Sequence, residues 1–591
     1  MDHVRQERAK KVVVKGQSGF TDSDETRVNS QQVDAGGPSV LNPSCEQLIR
    51  FMQEVERKRP ELINRRGVVF HHDKARHHIS LATQQKLNEF DWEMLMYPPY
   101  SRGPCTFRFP PVSVSSKFRQ CQELLPAEPW DDIRDAKAEG PVCPQTDVFY
   151  GRMKTASGGM SEACIHANIH VPIEALPDPN EPPSLHVEAA PGLPILVFIH
   201  GGGFAFGSGD TDLHGPEYLV SKGVIVITFN YRLNVFGFLS LNSTQVPGNA
   251  GLRDAVTLLR WVQRNARFFG GSPGSVTLAG QSAGAAMTHI LTLSTSARSL
   301  FHRAILLSGT AFSDFFSSSP LFAKTINSLF LPLLGINATL PADEIHQKLI
   351  ETPINEIMEA NKKLINLFGL TTFTPVVESH QPGITPILED DPEVLVDSGR
   401  GSEIPLLIGF TETECESFRP RFKQIDIVAQ IEKTPELVVS PRLKFMTGDQ
   451  LPVLAELMHN KYFNDTLDYD SFLRLCTDQY YKYPALKLAS KSSGEAPVFM
   501  YRFSYDGVDS AWKEGLGLKF EGADHVEDLT YIFRTNSVLG PLRANELTRR
   551  DDDAKMKNKM TDIIVNFMRY RLAARPASFP PLRLSLHCDL L

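Results

Sequence analysis

Short apolar runs, each separated from the next by longer stretches of mixed character, dominate the chain from about residue 117 to about residue 572. They lie at 195–199, 224–231, 275–279, 304–307, 405–409 and 498–503, and they are rich in β-branched residues. Runs that stay apolar instead of alternating with polar residues predict strands buried on both faces. Between them, 251–268 sets Leu252, Val256, Leu259 and Val262 on one face of a predicted helix. Buried strands interleaved with helices predict an α/β layer fold, with a large, mostly parallel central sheet flanked by helices.

The flanks differ. Residues 1–44 are polar, rich in Ser, Asp, Gln, Gly and charge, without apolar period, and read as a disordered extension. Residues 45–101 form a second segment of different character, with a helical stretch at 46–59, then Gly67-Val68-Val69-Phe70-His71-His72-Asp73, and another helix around 80–90. The tail at 573–591 is rich in Pro and Leu and reads as irregular.

With 591 residues, 42% of them hydrophobic and 22% charged, the composition is that of a globular protein. The net charge of −8 gives no global attraction to nucleic acid or anionic lipid. No stretch reaches the roughly 20 apolar residues of a membrane span. The first twenty residues interrupt Val12, Val13 and Val14 with Arg5, Arg8, Lys10, Lys11 and Lys15, so no apolar core of a signal peptide is visible. Eight cysteines without C-x-x-C spacing exclude a small disulfide scaffold and a zinc ribbon. Asn242, Asn337 and Asn464 each begin an N-x-Thr or N-x-Ser triplet, a glycosylation acceptor if the chain enters the secretory pathway.

Two motifs carry chemistry. Gly280-Gln281-Ser282-Ala283-Gly284 follows the run 275–279, where a strand must turn sharply into a helix and hold a serine hydroxyl above the sheet. His200-Gly201-Gly202-Gly203-Phe204 follows the run 195–199, where glycines leave backbone N–H groups free to face an oxygen that becomes negative in acyl transfer. One G-x-S-x-G arises by chance roughly 0.2 times in a chain of this length. Both motifs, each after a strand, point to a serine hydrolase.

A serine hydroxyl needs a histidine to take its proton and a carboxylate to orient that histidine. In the α/β-hydrolase arrangement these follow Ser in the order acid, then His, past strand ends. The strand at 405–409 leads into Glu412, Glu414 and Glu416, and spacing alone does not separate the three. The strand at 498–503 precedes a loop with Asp524-His525-Val526-Glu527-Asp528, which makes His525 the candidate base.

The string Gln281-Ser282-Ala283-Gly284, together with Gly522-Ala523-Asp524-His525-Val526-Glu527-Asp528-Leu529-Thr530-Tyr531-Ile532-Phe533, resembles the type-B carboxylesterases. This family includes the cholinesterases, and within it the chain is most similar to insect juvenile hormone esterases, whose serine motif commonly reads GQSAG where most relatives have GESAG. The resemblance implies the α/β-hydrolase fold over 117–572 and selects Glu414, five residues after Gly409, as the acid. It implies Ser282 as nucleophile, His525 as base, Gly202, Gly203 and Ala283 as oxyanion donors, and Ser308 as a serine that hydrogen-bonds the acid. It further implies a Cys143–Cys164 disulfide, a secreted protein, no metal or other cofactor, and a juvenile-hormone-like terpenoid methyl ester as substrate. A broad-specificity carboxylesterase shares nearly all these features, and esterase-like adhesion proteins share the fold without the full triad. Phe204, Phe206, Phe312, Phe315 and Phe316 are candidates for an apolar ester pocket.

The chain also departs from that pattern. Lys117-Phe118 stands where the family has an Arg-Phe pair, its leading strands are expected to be missing, and Ala255 replaces a Gln after Asp254. Lys keeps the charge toward Glu162 but loses the bidentate fork, so a poorly stabilised sheet edge is expected. In that place, His71-His72-Asp73-Lys74-Ala75-Arg76-His77-His78 and Trp92-Glu93-Met94-Leu95-Met96-Tyr97-Pro98-Pro99-Tyr100-Ser101 resemble mariner-type transposases, with Asp73 as one member of an acid set. The segment breaks off before the next acid, so no metal-dependent chemistry and no nucleic-acid partner are expected from it.

Overall fold

Ile195, Val197 and Ile199 pack into one apolar cluster while Leu196 and Phe198, between them, pack into another. Each side of this strand faces a core, which is why its sequence is apolar throughout. The computed structural model describes residues 138–570, apart from 148, 151–158, 176–191, 370, 442, 445–447, 464–465, 493, 508–509 and 536–550, plus three short strands upstream. Asp73, Lys117, Asn464 and the segments 1–68 and 571–591 lie outside the described residues.

The chain divides into two compact units. In the smaller, β1 (Val69–His71) pairs in parallel with β2 (Glu93–Leu95). The larger holds β3 (Cys105–Arg108), β4 (Ala167–Val171), β5 (Leu193–Ile199), β6 (Ile225–Phe229), β7 (Gly271–Gln281), β8 (Arg303–Leu307), β9 (Leu406–Thr411) and β10 (Val498–Phe503). These eight form one sheet in the order β10-β9-β8-β7-β5-β6-β4-β3. All pairings from β10 to β6 are parallel, while β4 runs antiparallel to β6 and β3 antiparallel to β4. All six apolar runs are strands. The sheet also reaches further upstream than the residue-117 boundary, because Cys105–Arg108 covers the edge of β4.

Helix α1 (Ala250–Asn265) buries Leu252, Val256, Leu259 and Val262, as the sequence period requires. Helix α2 (Ala283–Leu293) is buried along its whole length. Helices α3 (Tyr469–Thr477) and α4 (Tyr483–Lys491) are joined by one wide π-type turn, Asp478–Lys482. Helix α5 (Asp551–Tyr570) closes the second core with Met560, Ile564, Val565, Phe567 and Met568. Among the described residues no helix is long and apolar enough to cross a membrane.

Among the described residues two disulfides tie loops to this frame: Cys143–Cys164 and Cys415–Cys476, the second unforeseen in the sequence. Asp254 pairs with Arg232, its carboxylate accepting from Arg232 Nε at 2.8 Å. The start of α1 is pinned by a buried ion pair: Arg253 donates to Glu378 at 2.6 Å, and Glu378 also accepts from Asn249 at 2.6 Å and from the Ile387 N–H at 3.1 Å. Removing one partner of such a pair strands a charge in the interior. Arg253→Ala is therefore expected to cost about 3 kcal/mol of stability, read by urea unfolding, and a loss below about 1 kcal/mol would show that Glu378 finds another partner.

Candidate active site

Parallel strands deliver their following turns to one edge of the sheet, where side chains far apart in sequence meet. Four such turns converge here.

After β7, Ser282 adopts φ 56° and ψ −122°, a conformation rare for a residue with a side chain. Its neighbours must be glycines: a Cβ on Gly280 would strike the Gly284 carbonyl, and one on Gly284 would strike the Ile199 carbonyl. The Ser282 N–H donates to the Leu307 carbonyl at 2.8 Å, which anchors the corner to β8. After β5, Gly202 and Gly203 take φ of 108° and 59°. A Cβ built on Gly201 would stand 3.1 Å from Ser282 Cβ, so the glycine turn lies directly against the serine. His200 stacks on Tyr231 at 4.3 Å, and burial brings its imidazole down to about 4, so it is neutral near pH 7.

After β9, Glu414 is fully buried, and its Oε1 accepts the Thr411 N–H at 2.7 Å. Its Oε2 faces His525 Nδ1 at 2.6 Å, with His525 only 2% exposed. The geometry thus separates three acids that spacing could not: Glu412 is exposed and Glu416 pairs with Arg419 at 2.8 Å. With Nδ1 committed to the carboxylate, the other ring nitrogen of neutral His525 is an acceptor, and the Gln281 amide donates to it at 3.2 Å. The imidazole therefore sits against the residue that immediately precedes Ser282.

The His525 loop is fastened to the Glu414 turn by backbone and carboxylate contacts. Thr413 N–H donates to the Ala523 carbonyl at 2.9 Å, and the Asp524 carboxylate accepts from the Glu416 and Ser417 N–H groups at 3.0 and 2.9 Å. Asp528 accepts from the Tyr501 hydroxyl at 2.7 Å, and Tyr501 lies over Gly409, where a Cβ would collide with its ring. Val526 is held at φ 76°, costly for a β-branched residue. Cys415, next to Glu414, is bonded to Cys476 at the end of α3.

One expected contact is absent. The Ser308 hydroxyl is buried and has no hydrogen-bond partner among the described residues, Glu414 included, so it does not bind the acid. Glu414 is instead satisfied within its own turn by Thr411 and across it by His525. Of the candidate pocket residues, Phe315 belongs to a chain of rings through Tyr481, which lies 5.0 Å from His525; the Phe418 ring is 5.5 Å from His525. Phe316 contacts Tyr481 and Phe204, Phe206 packs on Phe149 and Tyr150, and Phe312 packs on His289. Tyr480 and Tyr481 have no counterpart in the sequence reading, because nothing local marks a π-type turn.

Residues 109–580 match the carboxylesterase family. Over 510 residues the chain is 52% identical to the juvenile hormone esterase of Heliothis virescens, covering 86% of each. It is 30% identical over 430 residues to the para-nitrobenzyl esterase of Bacillus subtilis, covering 72% of this chain and 78% of that one. The crystal structure of juvenile hormone esterase from Manduca sexta, with OTFP covalently attached, superimposes with a TM-score of 0.75 at 57% identity, covering 80% of this chain and 87% of that one.

Burial holds the Asp528 carboxyl up at about 6, against an ordinary 3.8. The folded chain binds this proton more tightly than the unfolded chain does, so the stabilisation is complete below 3.8 and lost as pH rises through about 6. Asp528→Asn keeps an oxygen for Tyr501 and removes the buried charge. It is expected to gain roughly 2 to 3 kcal/mol over the wild type at pH 7.5 and nothing near pH 4. Urea unfolding at the two pH values checks this; an equal difference at both would refute it.

Proposed function

The chain belongs to the carboxylesterase family and is a carboxylic ester hydrolase, and on that premise we propose that it cleaves a juvenile-hormone-like terpenoid methyl ester through an acyl-enzyme on Ser282. The observation that carries this reading is the buried 2.6 Å contact of Glu414 with His525, made beside the residue that precedes Ser282. Against the non-catalytic adhesion reading stand the presence of Ser282, Glu414 and His525 together and the similarity to esterases.

In the proposed mechanism His525 takes the Ser282 proton as the hydroxyl oxygen attacks the ester carbonyl, and Glu414 steadies the imidazolium that forms. The N–H groups of Gly202, Gly203 and Ala283 receive the developing oxyanion, each worth about 2.7 to 4 kcal/mol in the transition state. His525 then gives the proton to the leaving methoxide, and water repeats the cycle on the acyl group to release the acid.

The apolar substrate is supported by the rings around His525, with Phe418 and Tyr481 next to it and Phe315 next to Tyr481. A long hydrocarbon tail gains about 25 cal/mol for each Å² it removes from water in such a place. The covalent attachment in the Manduca sexta relative supports a nucleophilic route. Similarity to the para-nitrobenzyl esterase supports a second reading, a broad-specificity carboxylesterase. Asn242 and Asn337 are exposed and remain proposed glycosylation sites.

Ser282→Ala is expected to abolish both labelling by a fluorophosphonate and hydrolysis; persistence of either would remove Ser282 from the reaction. The kcat/KM ratio for a terpenoid methyl ester against a short-chain aryl ester is expected to favour the terpenoid at least tenfold. A ratio near or below one selects the broad-specificity reading.

A further inference from the structure

Gln281 is 3% exposed and ends β7, one residue before the strained Ser282 corner. Its amide spans two turns. The Nε2 donates to His525 Nε2 at 3.2 Å, and its Oε1 lies so close to Gly201 that a Cβ there would collide with it. The side chain therefore fills the space between the imidazole and the first residues of the glycine turn. Sheet pairing fixes its backbone, because Gln281 is in register with Leu307 of β8.

A neutral amide at this point has a chemical consequence. Among the described residues, the ionisable groups around His525 and its carboxylates are Glu414 on the turn after β9, Asp524, Glu527 and Asp528 on its own loop, the π-turn Tyr481 beside the ring, and Tyr150 and Tyr501 beside those carboxylates. All four carboxyls are themselves engaged by N–H or O–H donors: Glu414 by Thr411, Asp524 by Glu416 and Ser417, Glu527 by Asp524, and Asp528 by Tyr501. At the Nε2 face stands Gln281, which adds no charge.

We infer that Gln281 is a positioning residue: its amide N–H holds the His525 imidazole by Nε2 in the resting enzyme, and because the amide carries no charge it draws no proton onto Nε2 ahead of the one from Ser282, which takes the amide's place as donor. This deepens the esterase reading and rests on it. A carboxylate in the same place would attract a proton onto Nε2 and keep it there, so the base would be released only at higher pH. An apolar side chain of the same length would leave Nε2 unheld, and the imidazole would have to find its reacting orientation in each cycle.

Two variants of the full chain test this. Gln281→Glu, nearly isosteric, is expected to move the acidic limb of the kcat/KM profile about one pH unit toward higher pH. Gln281→Met, which keeps the length and loses the donor, is expected to slow fluorophosphonate labelling about tenfold with a melting temperature close to that of the wild type. A Gln281→Glu profile that superimposes on the wild type, or labelling of Gln281→Met at the wild-type rate, overturns the inference. Those outcomes leave the esterase reading intact if Ser282→Ala is inactive, whereas activity in Ser282→Ala removes that reading itself.

Discussion

One backbone conformation governs the geometry of this protein. Ser282 at φ 56° and ψ −122° cannot be held by local preference, since an L-residue gains nothing there. It persists because β7, α2 and β5 crowd together at the corner, with Gly280 against Gly284 and Gly284 against Ile199, and because Ser282 N–H is bonded to Leu307 of β8. Three strands and a helix thus share one tight point. Gly309 after β8 belongs to the same knot, since a Cβ there would strike the Ser282 carbonyl. Small residues at these positions are demanded by close approach of backbone to backbone, and the buried serine is held at the edge of the sheet as a result.

A second constraint is the handling of negative charge. Glu414, Asp524, Glu527 and Asp528 are all buried within one region, and Lys513 is the cation that approaches them, 3.9 Å from Glu527. Such a set is tolerable only if each carboxylate is satisfied in a different way. Glu414 takes a backbone N–H and the imidazole, Asp524 takes two backbone N–H groups, Glu527 takes the Asp524 N–H, and Asp528 takes the Tyr501 hydroxyl. The bonds of Glu414 to His525 and of Asp524 to Glu416 and Ser417 cross between the Glu414 turn and the His525 loop, so charges that would destabilise the region also align its two halves.

Legibility from sequence followed the range of the interaction. The six apolar strands could be read because burial on both faces leaves a continuous run, and Leu252 to Val262 because a helix repeats every 3.6 residues. The serine corner and glycine turn were readable because steric demands fix residue types a few positions apart. Choosing Glu414 over Glu412 and Glu416 needed either a resemblance or the contact itself, because all three lie within five residues after one strand. The Cys415–Cys476 bond, the strand Cys105–Arg108, the amide of Gln281 on His525 and the unpartnered Ser308 depend on residues distant in sequence. No local pattern encodes them.

The wide turn Asp478–Lys482 makes chain length itself a determinant of the pocket wall. Pro484 has no N–H, and its ring presses toward the carbonyl four residues earlier, at Tyr480; widening the coil there lets α3 and α4 run on as one rod. Near it, Tyr480 and Tyr481 both lie within reach of Phe315, though adjacent residues of an ordinary helix diverge by about 100°. Losing a single residue from this stretch would rotate everything beyond it by that angle and turn Lys487 away from Glu393, its partner at 2.7 Å. Relatives that differ here by one insertion or deletion would therefore present a different aromatic surface beside the histidine without altering any pocket side chain.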